Sequence, residues 1–68
     1  MNEMDHGKRT RLLRIMRDMT QFELARAARL HPSRLSMIER NLVLPKPAEA
    51  RRLNEVLGEE VFPVEVLK

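Results

Sequence analysis

The stretch TQFELARAARLHPSRLSMIERN, Thr20 to Asn41, has helical rhythm on both flanks and a proline, Pro32, near its middle. Inside a helix, proline removes a backbone donor and clashes with the preceding turn, so this stretch cannot be one continuous helix. At the first position of a new helix the same residue is favourable, because its φ is already near the helical value and no donor is needed there. Thr20 followed by Glu23 forms a capping box: the threonine hydroxyl accepts from the Glu23 amide while the glutamate reaches back to the Thr20 amide. The sequence therefore predicts a short helix from Gln21 that buries Leu24, Ala25 and Ala28. A corner follows at Arg29, Leu30 and His31, with Leu30 turned inward and His31 as N-cap. The next helix runs from Pro32 to Arg40 and ends at Asn41, a residue type that tolerates the left-handed cap.

The flanking segments supply what this corner packs against. GKRTRLLRIMRD, Gly7 to Asp18, predicts an earlier helix with Leu12, Leu13, Ile15 and Met16 on one broad arc. After the loop LVLPKP, Pro47 is placed to open a further helix that ends at the cap candidate Gly58, with Ala50, Leu53 and Leu57 facing inward. Residues 1–6 read as a mobile terminus, and residues 59–68 as a tail whose alternation suggests a strand while Pro63 could open a helical turn. With 68 residues there is room for one small domain and one thin core. The expected fold is all-α.

Charge is unevenly spread. Between Gly7 and Arg52 twelve Lys/Arg face four acids, a balance of +8, whereas the two ends together carry −5. A basic body with acidic ends fits a polyanion-facing surface, and fits a solvated arginine-rich surface as well. The chain has no cysteine, which excludes disulfides and thiolate metal ligands. His6 and His31 lack further ligands at metal-binding spacing, so no metal and no cofactor are expected. No nucleophile stands near a base and no glycine-rich phosphate loop occurs, which argues against an enzyme. No apolar run is long enough to span a bilayer, and the expected location is a reducing cytoplasm.

On the third helix Leu35 and Ile38 point inward, while Ser33, Ser36, Met37 and Arg40 point outward with Arg34 on the flank. Small and flexible side chains with two arginines, and no large acid, make a face that can enter a phosphate-lined groove. Met37 has a second reading at the edge of the core.

At these positions the sequence resembles the helix-turn-helix family of phage Cro and repressor-type regulators, the xenobiotic-response-element class. The pattern is roughly T-Q-x-x-L-A, a turn, then S-x-I-E-x-G, and Thr20, Gln21, Leu24, Ala25, Ser36, Ile38 and Glu39 match it at the right spacing, as do Arg14, Pro45, Leu53 and Leu57. The resemblance covers Gly7 to Gly58 and implies a compact four- to five-helix, lambda-repressor-like DNA-binding domain whose third helix, about residues 32–40, reads base edges in the major groove. It implies that Gln21 bonds a phosphate, and that Pro32, Ser33, Arg34 and Met37 face bases, with Arg40 beside them. Arg34 would meet guanine O6 and N7 and Met37 a thymine methyl. It also implies an ion pair of Arg14 with Glu39 that clips the first helix to the third.

Several positions depart from the pattern. Arg29 stands for the turn glycine and must either take the left-handed conformation or reshape the corner. Asn41 stands for the glycine after the third helix, Thr10 for an apolar residue and Asn54 for a small buried alanine, and the usually basic loop is Leu42, Val43 and Leu44. The resemblance turns Leu13 and Met16 inward and leaves Leu12 and Ile15 toward solvent, so a cover is expected from the loop or from Val61, Phe62, Val64, Val66 and Leu67, in the same protomer or its mate. The functional expectation is a sequence-specific regulator of transcription, a repressor binding double-stranded DNA as a homodimer without a small-molecule ligand. The alternative is a protein-interaction module of the same fold, such as an antitoxin or adaptor.

Overall fold

The computed structural model describes residues 5–63 and contains, among them, four helices and no strand: α1 His6–Met16, α2 Gln21–Ala27, α3 Pro32–Glu39 and α4 Pro47–Leu57. The expectations for residues 1–4 and for Val64, Val66 and Leu67 lie outside the described residues.

Helix starts follow local chemistry. The Thr20 amide donates to Glu23 Oε1 (2.8 Å) and the Glu23 amide to Thr20 Oγ1 (3.0 Å), closing the capping box of α2. His31 caps α3 with its ring, Nδ1 accepting from the Ser33 amide at 3.2 Å. At α1 the expectation of a mobile terminus through residue 6 is corrected for Asp5 and His6: Asp5 is the N-cap, accepting from the Lys8 amide at 2.9 Å, and His6 is the first helical residue. The Lys8 amide, together with the Asn41 side chain, holds the Asp5 carboxyl below its ordinary range.

All four helices stop in the same way. The residue after the last turn takes φ near +60°, at Asp18 (59°), Arg29 (58°), Asn41 (62°) and Gly58 (69°). The amide one place further on then reaches back to a carbonyl of the final turn: Met19 to Arg14 (3.1 Å), Leu30 to Ala25 (2.7 Å), Leu42 to Met37 (2.9 Å) and Glu59 to Asn54 (3.2 Å). This is the Schellman arrangement, which satisfies carbonyls that a helix end would otherwise leave bare. Arg29 therefore keeps the corner in its expected shape by taking the left-handed conformation itself. At the same corner Arg52 Nε donates to the Ala28 carbonyl (2.7 Å), tying α4 to the end of α2.

Leu13, Leu24, Ala25, Ala28, Leu30, Leu35, Ile38, Ala50, Leu53, Leu57, Val61 and Phe62 form one buried cluster, with Met19, Val43 and Val56 packed against it. Thr10 is also fully buried, because its hydroxyl donates to the His6 carbonyl at 2.8 Å and so brings no unpaired polar group into the interior. Gly7 is buried where α1 meets the end of α3: a Cβ there would lie 2.7 Å from the Glu39 carbonyl oxygen and closer still to that of Ile38. Both of those are backbone atoms, so no side-chain movement could make room. The Gly7 amide donates to Asn41 Oδ1 at 3.1 Å, which joins the two helices.

The start of the tail is neither strand nor helix. Val61 and Phe62 turn into the core, and the Asn54 side chain serves the Phe62 backbone on both sides, accepting from its amide (3.0 Å) and donating to its carbonyl (2.8 Å). Asparagine at this position thus supplies the pairing that an isolated buried loop needs. Two expectations about apolar cover are corrected. Met16 is exposed rather than inward, since it lies on the same helical stripe as Leu12 and Ile15; and Val61 and Phe62 are drawn into the core of their own protomer instead of lying on that stripe. Leu12, Ile15 and Met16 remain 50%, 47% and 68% exposed, and Leu42 and Leu44 are exposed as well.

Candidate nucleic-acid interface

Helix α3 divides cleanly. Leu35, Ile38 and Glu39 are buried, whereas Ser33 and Arg40 are exposed and Ser36 and Met37 half-buried. Those four residues are spaced i, i+3, i+4 and i+7, so they form one stripe along the helix. Their side chains are small at the N-terminal end and flexible toward the other. Met37 lies outside the core cluster, and among the described residues Arg40 makes only a long bond to the carbonyl of Ser36 on its own helix, at 3.4 Å. Pro32 is the first residue of α3 and is half-buried. Ser33 Oγ shares a 2.9 Å hydrogen bond with His31 Nδ1.

The stripe is held in place by a three-helix ionic junction. Arg14 Nε donates to Glu39 Oε2 (2.8 Å), Nη2 to Glu39 Oε1 (3.2 Å) and Nη1 to the Met19 carbonyl (2.9 Å). The side chains are only 11% and 2% exposed. Gln21 joins them, its Nε2 donating to Glu39 Oε1 at 3.0 Å. One carboxylate on α3 therefore gathers donors from α1 and from the first residue of α2. Buried charges must be paired in this way to persist, and here every donor atom of the Arg14 guanidinium is used.

Arg34 is engaged too, which the sequence did not foretell. Its Nε donates to Glu49 Oε2 (3.1 Å) and Oε1 (3.3 Å), and its Nη2 to Glu49 Oε1 (3.0 Å), with a longer contact from Nη2 to the Leu44 carbonyl at 3.5 Å. The side chains are 27% and 14% exposed. Glu49 Oε1 also accepts the Lys46 amide at 2.8 Å, at the start of α4. Burial by itself would raise the Glu49 pKa, but the Arg34 fork and the Lys46 amide outweigh it and hold the carboxyl below its ordinary value. Bonding to Glu49 correspondingly raises Arg34.

The expected site residues thus fall into three groups. Ser33, Met37 and Arg40 share the outer stripe, with Pro32 at its head. Gln21 belongs with Arg14 and Glu39 in the junction, so one of its two amide hydrogens is already spent. Arg34 sits between α3 and the start of α4. Sequence reasoning missed Glu49 and Gly7. Glu49 had a legible signal, an acid three residues after the cap position of a proline-opened helix, while its reach back to α3 is a long-range contact that no local pattern encodes.

A family model described as helix-turn-helix matches residues 11–62. The chain belongs to the Cro/C1-type helix-turn-helix family. It is a DNA-binding regulator of the general helix-turn-helix kind, and the family is regulatory rather than enzymatic. No curated protein and no solved structure matches the chain. Among the described residues no helix is long and apolar enough to cross a membrane.

In such a family the pairing of Arg34 acquires an energetic meaning. Hydrogen bonds to charged groups contribute about 1.5 to 3 kcal/mol each, and a bidentate base contact gives about 1 to 3 kcal/mol of discrimination. A base taken on that same edge of the guanidinium would displace Glu49 and leave a largely buried carboxylate without its partner.

Proposed function

We propose that the protein is a sequence-specific transcriptional repressor that binds its operator as a dimer, with the N-terminal turns of α3 in the major groove. The observation that carries this reading is the outer stripe Ser33, Ser36, Met37 and Arg40, free of acidic side chains and mounted on a helix whose inner face is fixed by the Glu39 junction. A recognition helix needs both properties: side chains thin enough to approach base edges, and a rigid mount that sets the approach angle. Met37 suits contact with a thymine methyl, and Arg40 a phosphate or guanine. Gln21 retains one amide hydrogen for a phosphate at the start of α2.

A single such domain buries little surface on DNA, so useful affinity calls for two recognition helices on adjacent half-sites. The open apolar stripe Leu12, Ile15 and Met16 on α1 is compatible with association of this kind. It would equally serve an adaptor that binds another protein, and salt dependence separates the two: phosphate contacts give a steep fall of DNA affinity with salt, whereas an adaptor has no such slope.

The deciding experiment is selection of bound sites from a random DNA pool at physiological salt. Enrichment of a two-fold symmetric site with half-site centres roughly 10 to 10.5 base pairs apart, or a multiple, is the expected result. Recovery of a single unpaired half-site at full affinity removes the dimer, and no enrichment removes the repressor.

A further inference from the structure

We infer that Glu49 is a specificity-determining positioning residue: it remains paired with Arg34 on DNA, clamps the Nε–Nη2 edge of the guanidinium, and leaves the Nη1 end to read one base pair. The inference rests on α3 being the recognition helix. It follows from how the donors are distributed. Nε and Nη2 both face Glu49, while none of the hydrogen bonds among the described residues uses Nη1.

Glu49 is itself immobilised. Its Oε1 accepts the Lys46 amide at 2.8 Å, so the carboxylate is tied to the first turn of α4 as well as to Arg34. A free arginine on a helix flank samples many rotamers and meets phosphates as readily as bases. One clamped from α4 has its remaining donors aimed in a single direction, which is the condition for telling one base from another. The clamp also cancels much of the cation, so Arg34 adds little to sequence-blind attraction to phosphates.

The two effects separate experimentally. Site selection from random DNA and salt-titrated binding are run on the wild type, Glu49→Gln and Arg34→Lys. Lysine keeps the charge and can still meet Glu49, but it has no second edge to present. The expected result is that both variants lose preference at the same single base pair, by roughly tenfold, while preferences elsewhere stay. Glu49→Gln should also bind non-specific DNA more tightly than the wild type, with a steeper salt slope, because an acid is removed and a cation released.

If Glu49→Gln keeps the full wild-type preference, Glu49 is a structural partner only and the inference falls, while the reading of α3 stands. A wild type that selects no site removes both. Should Glu49→Gln melt below the assay temperature, Glu49→Asp takes its place. It keeps the charge and withdraws the carboxylate by one methylene, and an unchanged preference in that variant overturns the inference in the same way.

Discussion

Among the described residues α3 carries two arginine–glutamate pairs, and they are built to opposite ends. In the first, Arg14 gives all three guanidinium nitrogens to Glu39 and the Met19 carbonyl, and Gln21 adds a fourth donor to the junction. In the second, Arg34 gives two nitrogens to Glu49 and, among the described residues, keeps one end unspent. Exposure follows the same order, 11% and 2% against 27% and 14%. A fully consumed, buried pair can only fix the angle between helices. A half-consumed pair at the rim can also meet a ligand.

The contrast is most easily broken at the buried pair. Removing Glu39 leaves the Arg14 charge and the Gln21 amide without their acceptor, so Glu39→Ala should lower stability by about 3 to 5 kcal/mol. Urea unfolding measures it, and a double-mutant cycle with Arg14→Ala should return a large coupling. A loss no greater than that of Glu49→Ala would erase the distinction between the two pairs.

The rim pair should cost less. Glu49→Ala or Arg34→Ala is expected to lower stability by about 1 to 2 kcal/mol, since solvent partly re-pairs whichever charge remains. The same pair has a pH signature. Its folded carboxyl titrates below the ordinary value of 4.5, so its contribution is present in full above that value and is lost as pH falls through the lower, folded value. The stability difference between the wild type and Glu49→Gln should therefore shrink on acidification below the ordinary carboxylate range. A constant difference down to the acid limit would mean that the carboxylate gains nothing from Arg34.

The smallest expected effect lies outside both pairs and serves as their control. Arg29 is a non-glycine residue at φ 58°. Arg29→Gly should relieve the left-handed strain and raise stability by about 1 kcal/mol, a rise in Tm of about 4 to 8 °C for a domain of this size. It leaves Glu39 and Glu49 untouched, so the effects of the pair variants should add to it unchanged. Loss of stability instead would show that the Arg29 side chain contributes something to the corner.

What could be read from the sequence was what local chemistry dictates. Thr20 with Glu23, Pro32, Pro47 and Gly58 announced the helix ends, because caps and proline act within one turn. Leu24, Leu35, Ile38, Leu53 and Leu57 announced the core through their period. The contacts that escaped are those between distant segments. Nothing around Gly7 signals that α3 presses on it, and nothing around Asn54 signals that its amide will serve the backbone of Phe62. The family resemblance turns Met16 inward, but Leu12, Leu13, Ile15 and Met16 span so broad an arc that the period offers no check on it, and Met16 is exposed. Helix period places Arg34 only on the flank and the family resemblance turns it toward bases, whereas its engagement with Glu49 depends on where α4 begins in space.

The two ends of the described chain also meet. The His6 ring lies 5.6 Å from that of Phe62, centroid to centroid, so the backbone enters and leaves the body at neighbouring points. In modular terms the domain is a plug with both wires on one side. Domains whose ends lie close together are the ones that tolerate insertion into a host's surface loop or circular permutation, and the approach of His6 to Phe62 gives this domain that geometry.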